Sequence, residues 1–274
     1  VAQPWSDGSR QALLARALTH CDEVPLEGSL ARATGLLCGR ADTADILGLF
    51  DDFVAYRADI SRGIELGRLV PFRYFGVKDD IDYEHIPWRN KRFDPDALAS
   101  AAQTEERMTT LWRAWGEHPG LRTLVFCCSI AHACYVRDWL RQKGVRVAAG
   151  FSGEGSDDRE TALERLESGD LDVVCAVDVF NEGVDVPSID RVVMLRPTES
   201  NVIFLQQLGR GLRASDEKQS LTVIDFVGNH RMFLQRVRAL LSLGGATGSA
   251  NLRAFLESRE PEELPAGCSV DLEL

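Results

Sequence analysis

Several signatures are missing from this 274-residue chain, and each absence closes off a class of function. No G-x-x-x-x-G-K-[ST] occurs, and no Gly-Lys pair at all, so the chain has no loop of its own to wrap a triphosphate between backbone amides and a lysine. Neither D-E-x-H nor D-E-A-D appears. Asp22-Glu23 runs into Val24-Pro25 and follows no apolar strand, which disqualifies it as a magnesium-binding carboxylate pair. The seven cysteines form no C-x-x-C, against a zinc ribbon, and their odd count without framework spacing fits a reducing cytoplasm. No apolar run approaches the ~20 residues that cross a bilayer, and nothing at the start resembles a signal peptide. No G-x-G-x-x-G follows a first strand, which leaves a dinucleotide-dependent oxidoreductase poorly supported. Positive charge is scarce too: 31 Lys and Arg stand against 42 Asp and Glu, a net charge of −11. That argues against a generally basic coat, while leaving room for a local arginine-lined phosphate track. Val1 stands where a Met would begin a gene product, so the chain is expected to be a piece of something longer.

What is present is a packed globular composition, 45% apolar and 27% charged. Residues 1–50 give a weak helical signal near Arg10–His20. Leu69–Phe75 reads as a strand, with Pro71 suggesting an edge position or a late start. Lys78 to His85 reads as a solvated acidic loop in preference to a metal site. Asp94-Pro95 opens a helix as N-cap and first helical residue. In a helix over Glu105–Glu117, Met108, Leu111, Trp112 and Trp115 share a face, which assigns the tryptophans to the core and not to base stacking.

From residue 121 the pattern becomes regular. Strands are expected at Thr123–Cys128, Val145–Phe151, Leu171–Val177, Val192–Leu195 and Leu221–Phe226. Helices fall at Ile130–Lys143, Arg159–Ser168 and Asn201–Leu212, with Gly144 and Gly169 ending the first two. Strands with little polar alternation are buried on both faces, and helices between them imply crossovers. The expected fold is α/β, a doubly wound, mainly parallel sheet with flanking helices. Its ligands are expected at the carboxyl ends of the strands, and so are the unusual residues. Strand alternation sends Cys127 and Cys128 to opposite faces, which argues against a redox pair.

Three segments carry chemistry. Gln206-Gln207-Leu208-Gly209-Arg210-Gly211-Leu212-Arg213 fits Q-x-x-G-R-x-x-R, and two guanidinium groups three residues apart on a helix share a face and can clamp a transferring phosphoryl group. Val177 to Pro187 follows the third strand, with Gly183 permitting close backbone approach and Asp185 able to accept hydrogen bonds from an arginine or a ribose. Val125 to Ala133 places Ser129 as the N-cap of a helix whose first amides could face a phosphate. In this order the segments resemble motifs VI, V and IV of superfamily 2 helicases, with Val177 where many relatives have Thr. Gly67–Phe72, Ile86–Arg89 and Leu195–Ser200 extend the likeness, over roughly residues 45–274, to a bacterial subgroup of DEAD/DEAH helicases whose larger members can carry a phospholipase D-like nuclease module.

The resemblance implies a RecA-like domain, the second of two. Residues 1–50 would be a remnant of, or linker from, the first motor domain, 51–235 the helicase C-terminal domain, and 236–274 a C-terminal extension. Arg210 and Arg213 would act as arginine fingers. Gly183, Asp185, Gln206 and Gly209 would bind ATP and couple it to movement. Ser129, His132, Ser152, Gly153 and Asp178 would touch nucleic acid, DNA in preference to RNA. ATP and Mg2+ are the implied cofactors, the metal being held by the first RecA-like domain of the same polypeptide. No membrane is involved and the setting is cytoplasmic. The rival expectation is a non-catalytic module, or degenerate fragment, that keeps the fold and only binds.

Overall fold

A computed structural model describes residues 60–274, apart from 90–91, 151–157, 178–185, 198–200, 217, 229–231, 242, 244–263 and 274. The expected helix near Arg10–His20 therefore lies outside the described residues.

The strands form where the sequence is continuously apolar. β1 (Phe72–Lys78), β4 (Thr123–Phe126), β5 (Val147–Gly150), β6 (Val173–Ala176), β7 (Arg191–Met194), β8 (Leu221–Val227) and β9 (Ser269–Leu272) make one sheet in the order β5-β6-β4-β7-β8-β1-β9. Every neighbouring pair is parallel. A two-residue hairpin, β2 (Trp88–Arg89) with β3 (Arg92–Phe93), is antiparallel and separate. Along β4 and its extension, Leu124 and Phe126 pack into one layer, with Val174, Val192, Phe204 and Leu208. Val125 and Cys127 pack into the other, with Met108, Leu111, Val136 and Leu140. Each of these buried aliphatic side chains stabilises the fold by roughly 1.5–3 kcal/mol, and burial on both faces is why no polar alternation marks the strands.

The helices begin and end where their caps dictate. α1 (Ile60–Glu65) precedes the sheet. α2 (Pro95–Ala102) starts at Asp94, whose side chain accepts from the Ala97 amide at 2.9 Å. α3 (Glu105–Glu117) is capped by Thr104. α4 (Ile130–Gln142) is capped by Ser129 and followed by Gly144 at φ 83°. α5 (Arg159–Ser168) starts at Asp158 and stops at Gly169, φ 85°, where the left-handed backbone favours glycine. α6 (Asn201–Leu212) and α7 (Met232–Leu241) complete the set.

Four expectations change. Pro71 marks a late start, not an edge, because β1 lies between β8 and β9. The edge belongs to β9, from the segment set apart as an extension, and the boundary drawn at residue 235 falls inside α7. Trp112 is 37% exposed and meets Trp139 edge-on at 5.8 Å, so it rims the core that Met108, Leu111 and Ala114 enter. The acidic loop is only partly solvated, because Asp79 is buried and ion-paired with Arg107.

Candidate functional site

In a sheet whose strands all run the same way, the two ends are chemically distinct, and the candidate residues divide between them. At the carboxyl end of β4, the Ser129 hydroxyl accepts from the His132 amide at 3.1 Å and starts α4. At the amino end of the sheet lies the end of α6. This helix leaves the carboxyl side after β7 and runs back about 18 Å, to the start of β8. There the Val70 amide donates to the Leu212 carbonyl at 2.8 Å, and Leu69 bridges Arg213 just ahead of β1. The expectation that the unusual residues gather at the carboxyl ends therefore fails for Arg213.

Arg210 is half-buried in the last turn of α6 and Arg213 is exposed. Helical spacing alone does not set their relation, because α6 stops at Leu212 and the bridge to Leu69 fixes Arg213. The two glycines beside them differ. A Cβ on Gly211 would come within 2.4 Å of the buried Leu221 side chain, so close packing of α6 on β8 requires glycine there. A Cβ on Gly209 would meet no atom of the described residues within 4 Å. Packing among the described residues gives no reason for that glycine. Gln206 lies in α6, and its side chain is outside the described set, as are Ser152, Gly153, Asp178, Gly183 and Asp185.

His132 departs from expectation. Its ring is fully buried. Nδ1 accepts from the Cys128 amide at 3.3 Å and lies 3.1 Å from Cys128 Sγ, while Nε2 faces Arg107 Nη1 at 3.4 Å. A ring enclosed in this way supports the turn under Ser129 and is not presented to a nucleic acid. Burial, then the Arg107 charge, hold its pKa down at about 3. On lowering the pH the unfolded chain protonates this histidine near 6.5, but the fold resists until about 3, so the stability present above 6.5 is lost as pH falls through that window. The loss is about 1.4 kcal/mol per pH unit. His132→Gln should flatten the stability-versus-pH slope between pH 6 and 4 by about one proton's worth. An unchanged slope in chemical denaturation would mean that the ring titrates freely.

The buried polar groups around this turn were not legible in the sequence. Arg107, on α3, donates from Nε and Nη2 to the two Asp79 oxygens at 3.0 Å each, and from Nη2 to the Leu195 carbonyl at 2.9 Å. Tyr83 adds its hydroxyl to Asp79 at 2.7 Å. A second buried set joins Arg236 to Asp225, whose other oxygen accepts from Tyr74 at 2.7 Å. Arg236 also reaches the Arg196 carbonyl at 2.9 Å. Together they brace the carboxyl ends of β1, β7 and β8. Near the other end, Lys218 donates to the carbonyls of Pro187, at 3.1 Å, and Arg213, at 2.9 Å. A lysine five residues past an arginine carries no local signal that would have singled it out.

Among the described residues no group of three or more His, Cys, Asp or Glu could hold a metal, and no helix is long and apolar enough to cross a membrane.

Residues 105–215 match the family model described as the helicase conserved C-terminal domain. The putative ATP-dependent helicase IRC3 of Saccharomyces cerevisiae is 25% identical over 186 residues, 66% of this chain and 27% of that protein. The putative mitochondrial ATP-dependent helicase irc3 of Schizosaccharomyces pombe is 34% identical over 140 residues, 50% of this chain and 23% of that one. The chain thus spans about a quarter of the length of these curated relatives. Among solved structures, a fragment of a putative HsdR subunit of a type I restriction enzyme from Vibrio vulnificus superposes with a TM-score of 0.52 at 26% identity, covering 68% of this chain and 37% of that one. The type ISP restriction-modification enzyme LlaBIII, at 15% identity and a TM-score of 0.52, covers 84% of this chain and 17% of its own, and shares the fold.

Proposed function

We propose, from the match of residues 105–215 to the helicase conserved C-terminal domain, that the chain is the second RecA-like motor domain of an ATP-dependent superfamily 2 helicase or translocase acting on DNA. The observation that carries the reading is the division of the candidate groups between the two ends of one parallel sheet. Arg210 and Arg213 sit toward the amino end, and the Ser129 turn sits at the carboxyl end.

The described residues fit half of a nucleotide site. Arg210 and Arg213 carry guanidinium groups, whose planar fork suits phosphate oxygens. ATP and Mg2+ would be held by the first RecA-like domain, and ATP supplies the phosphoryl group whose transfer drives the motor. Arg210 and Arg213 balance the negative charge that builds up on that group, as arginine fingers do. Gly209 leaves the side of α6 bare where the opposite domain would press against it. The stretch 178–185, with Asp178, Gly183 and Asp185, couples nucleotide state to grip. Ser129, Ser152 and Gly153 hold one strand by its phosphates. DNA is preferred over RNA because the 26% identical structural relative belongs to a restriction enzyme. A cytoplasmic setting agrees with the free thiols at Cys127, Cys128, Cys134, Cys175 and Cys268.

The reading is tested on the pure 274-residue chain. It should show no ATP turnover with or without nucleic acid. It should bind single-stranded DNA more tightly than RNA of the same sequence, with log affinity falling linearly in log salt by about 0.7 per phosphate contacted. Nucleic-acid-stimulated ATP turnover by the chain alone, or binding indifferent to salt, would reject it.

A further inference from the structure

The end of α6 and the end of the 177–187 segment belong to different elements, yet one side chain holds both. Lys218 Nζ donates to the Arg213 carbonyl at 2.9 Å and the Pro187 carbonyl at 3.1 Å. Its own backbone is pinned by the Ser215 carbonyl at 3.1 Å. A lysine on the last carbonyls of a helix is ordinary, because those groups have no intrahelical partner. The Pro187 contact is what sets this one apart. Pro187 closes the segment that leaves the carboxyl end of β6 at Ala176 and reaches the amino end of β7 at Arg191. The same ammonium therefore ties the backbone just ahead of β7 to the backbone of the exposed Arg213 at the same end of the sheet.

We propose that Lys218 is a positioning residue for ATP hydrolysis: it clamps the Arg213 backbone to the Pro187 backbone and so fixes where the arginine is presented. This rests on the assignment of Arg213 to the phosphates given above. The clamp is held at some cost, since burial draws the Lys218 ammonium down to about 8 while Asp190 pulls it back up. Three donors on a flexible stem suit the task, because a lysine can keep both carbonyls while they shift by a fraction of an ångström.

The experiment uses the full-length protein and measures nucleic-acid-stimulated ATP hydrolysis for Arg213→Ala, Lys218→Met and Lys218→Arg, with a thermal melt of each. Lys218→Met is expected to lower kcat by about ten- to a hundredfold, the effect of a misplaced catalytic group, with KM for ATP within about twofold. Lys218→Arg should restore most of kcat, because its guanidinium can also donate to two carbonyls. Unchanged kcat in Lys218→Met overturns the inference, provided Arg213→Ala is slow. So does a fall in both kcat and melting temperature that Lys218→Arg fails to restore. If Arg213→Ala itself hydrolyses ATP normally, the arginine assignment fails and the inference falls with it.

Discussion

Arg210→Ala, introduced into the full-length protein, should slow ATP hydrolysis by a factor on the order of 10³–10⁵ while KM for ATP changes no more than a few-fold. The effect is one of differential binding. A guanidinium that meets charge appearing only as the phosphoryl group transfers contributes to the barrier and little to the ground state, so its removal is read in kcat. Arg210 qualifies because it is half-buried in a formed helix and so already ordered. Arg210→Lys should recover little, since a point charge cannot replace the planar fork. Equal losses in kcat and in ATP affinity would assign Arg210 to ground-state binding and reject the finger role. Gly211 guards the same geometry. A methyl group there meets the buried Leu221 side chain and would move the helix that carries the arginine.

The second large effect is on stability. Arg107→Ala should destabilise the fold by about 3–5 kcal/mol, because it strands the Asp79 carboxylate in a site closed to water. Arg107 and Asp79 are both buried, joined by two parallel hydrogen bonds, with the Phe226 ring 5.0 Å from the guanidinium carbon. Arg107→Met combined with Asp79→Leu should recover most of the loss, since replacing both partners removes the unpaired charge along with the pair. Denaturant melts of the parent, the single variant and the double variant check this. A single-variant loss below about 1 kcal/mol would place the pair in the surface class. The pair matters beyond stability because Arg107 also holds the Leu195 carbonyl beyond β7 and faces His132 beneath Ser129. Weakening it loosens the turn proposed to face the nucleic acid.

The elements legible in the sequence were those whose cause is local. The helix Arg159–Ser168 follows from an Asp cap before it and a glycine after it, and Asn201–Leu212 from its apolar spacing. The five central strands follow from short apolar runs, which the structure trims by a residue or two at most ends. What depended on partners far along the chain was not legible. Nothing in FRYFGVK says that it lies between β8 and β9, and nothing in Ser269–Leu272 reveals a sheet strand. Asp79 reads as one acid among Asp80, Asp82 and Glu84 until Arg107, 28 residues later, closes over it. His132 reads as a surface helix residue because periodicity cannot see the Cys128 turn folding back onto its ring. The arginine motif itself was plain in the sequence; the end of the sheet that presents Arg213 was not, since that depends on the bridge to Leu69.

The placement of β9 bears on how the protein can be handled. Arg73 to Gly76 find their outer neighbours in Ser269–Leu272. The same stretch meets β8 on the inner side. A version trimmed ahead of Ser269 would leave the outer rim of β1 as a row of unmatched amides and carbonyls flanked by Phe72, Tyr74 and Phe75, an adhesive border that invites copies to stack edge to edge. Ser269–Leu272 thus act as a selvedge that keeps the sheet from fraying into aggregates, and recombinant versions should retain them.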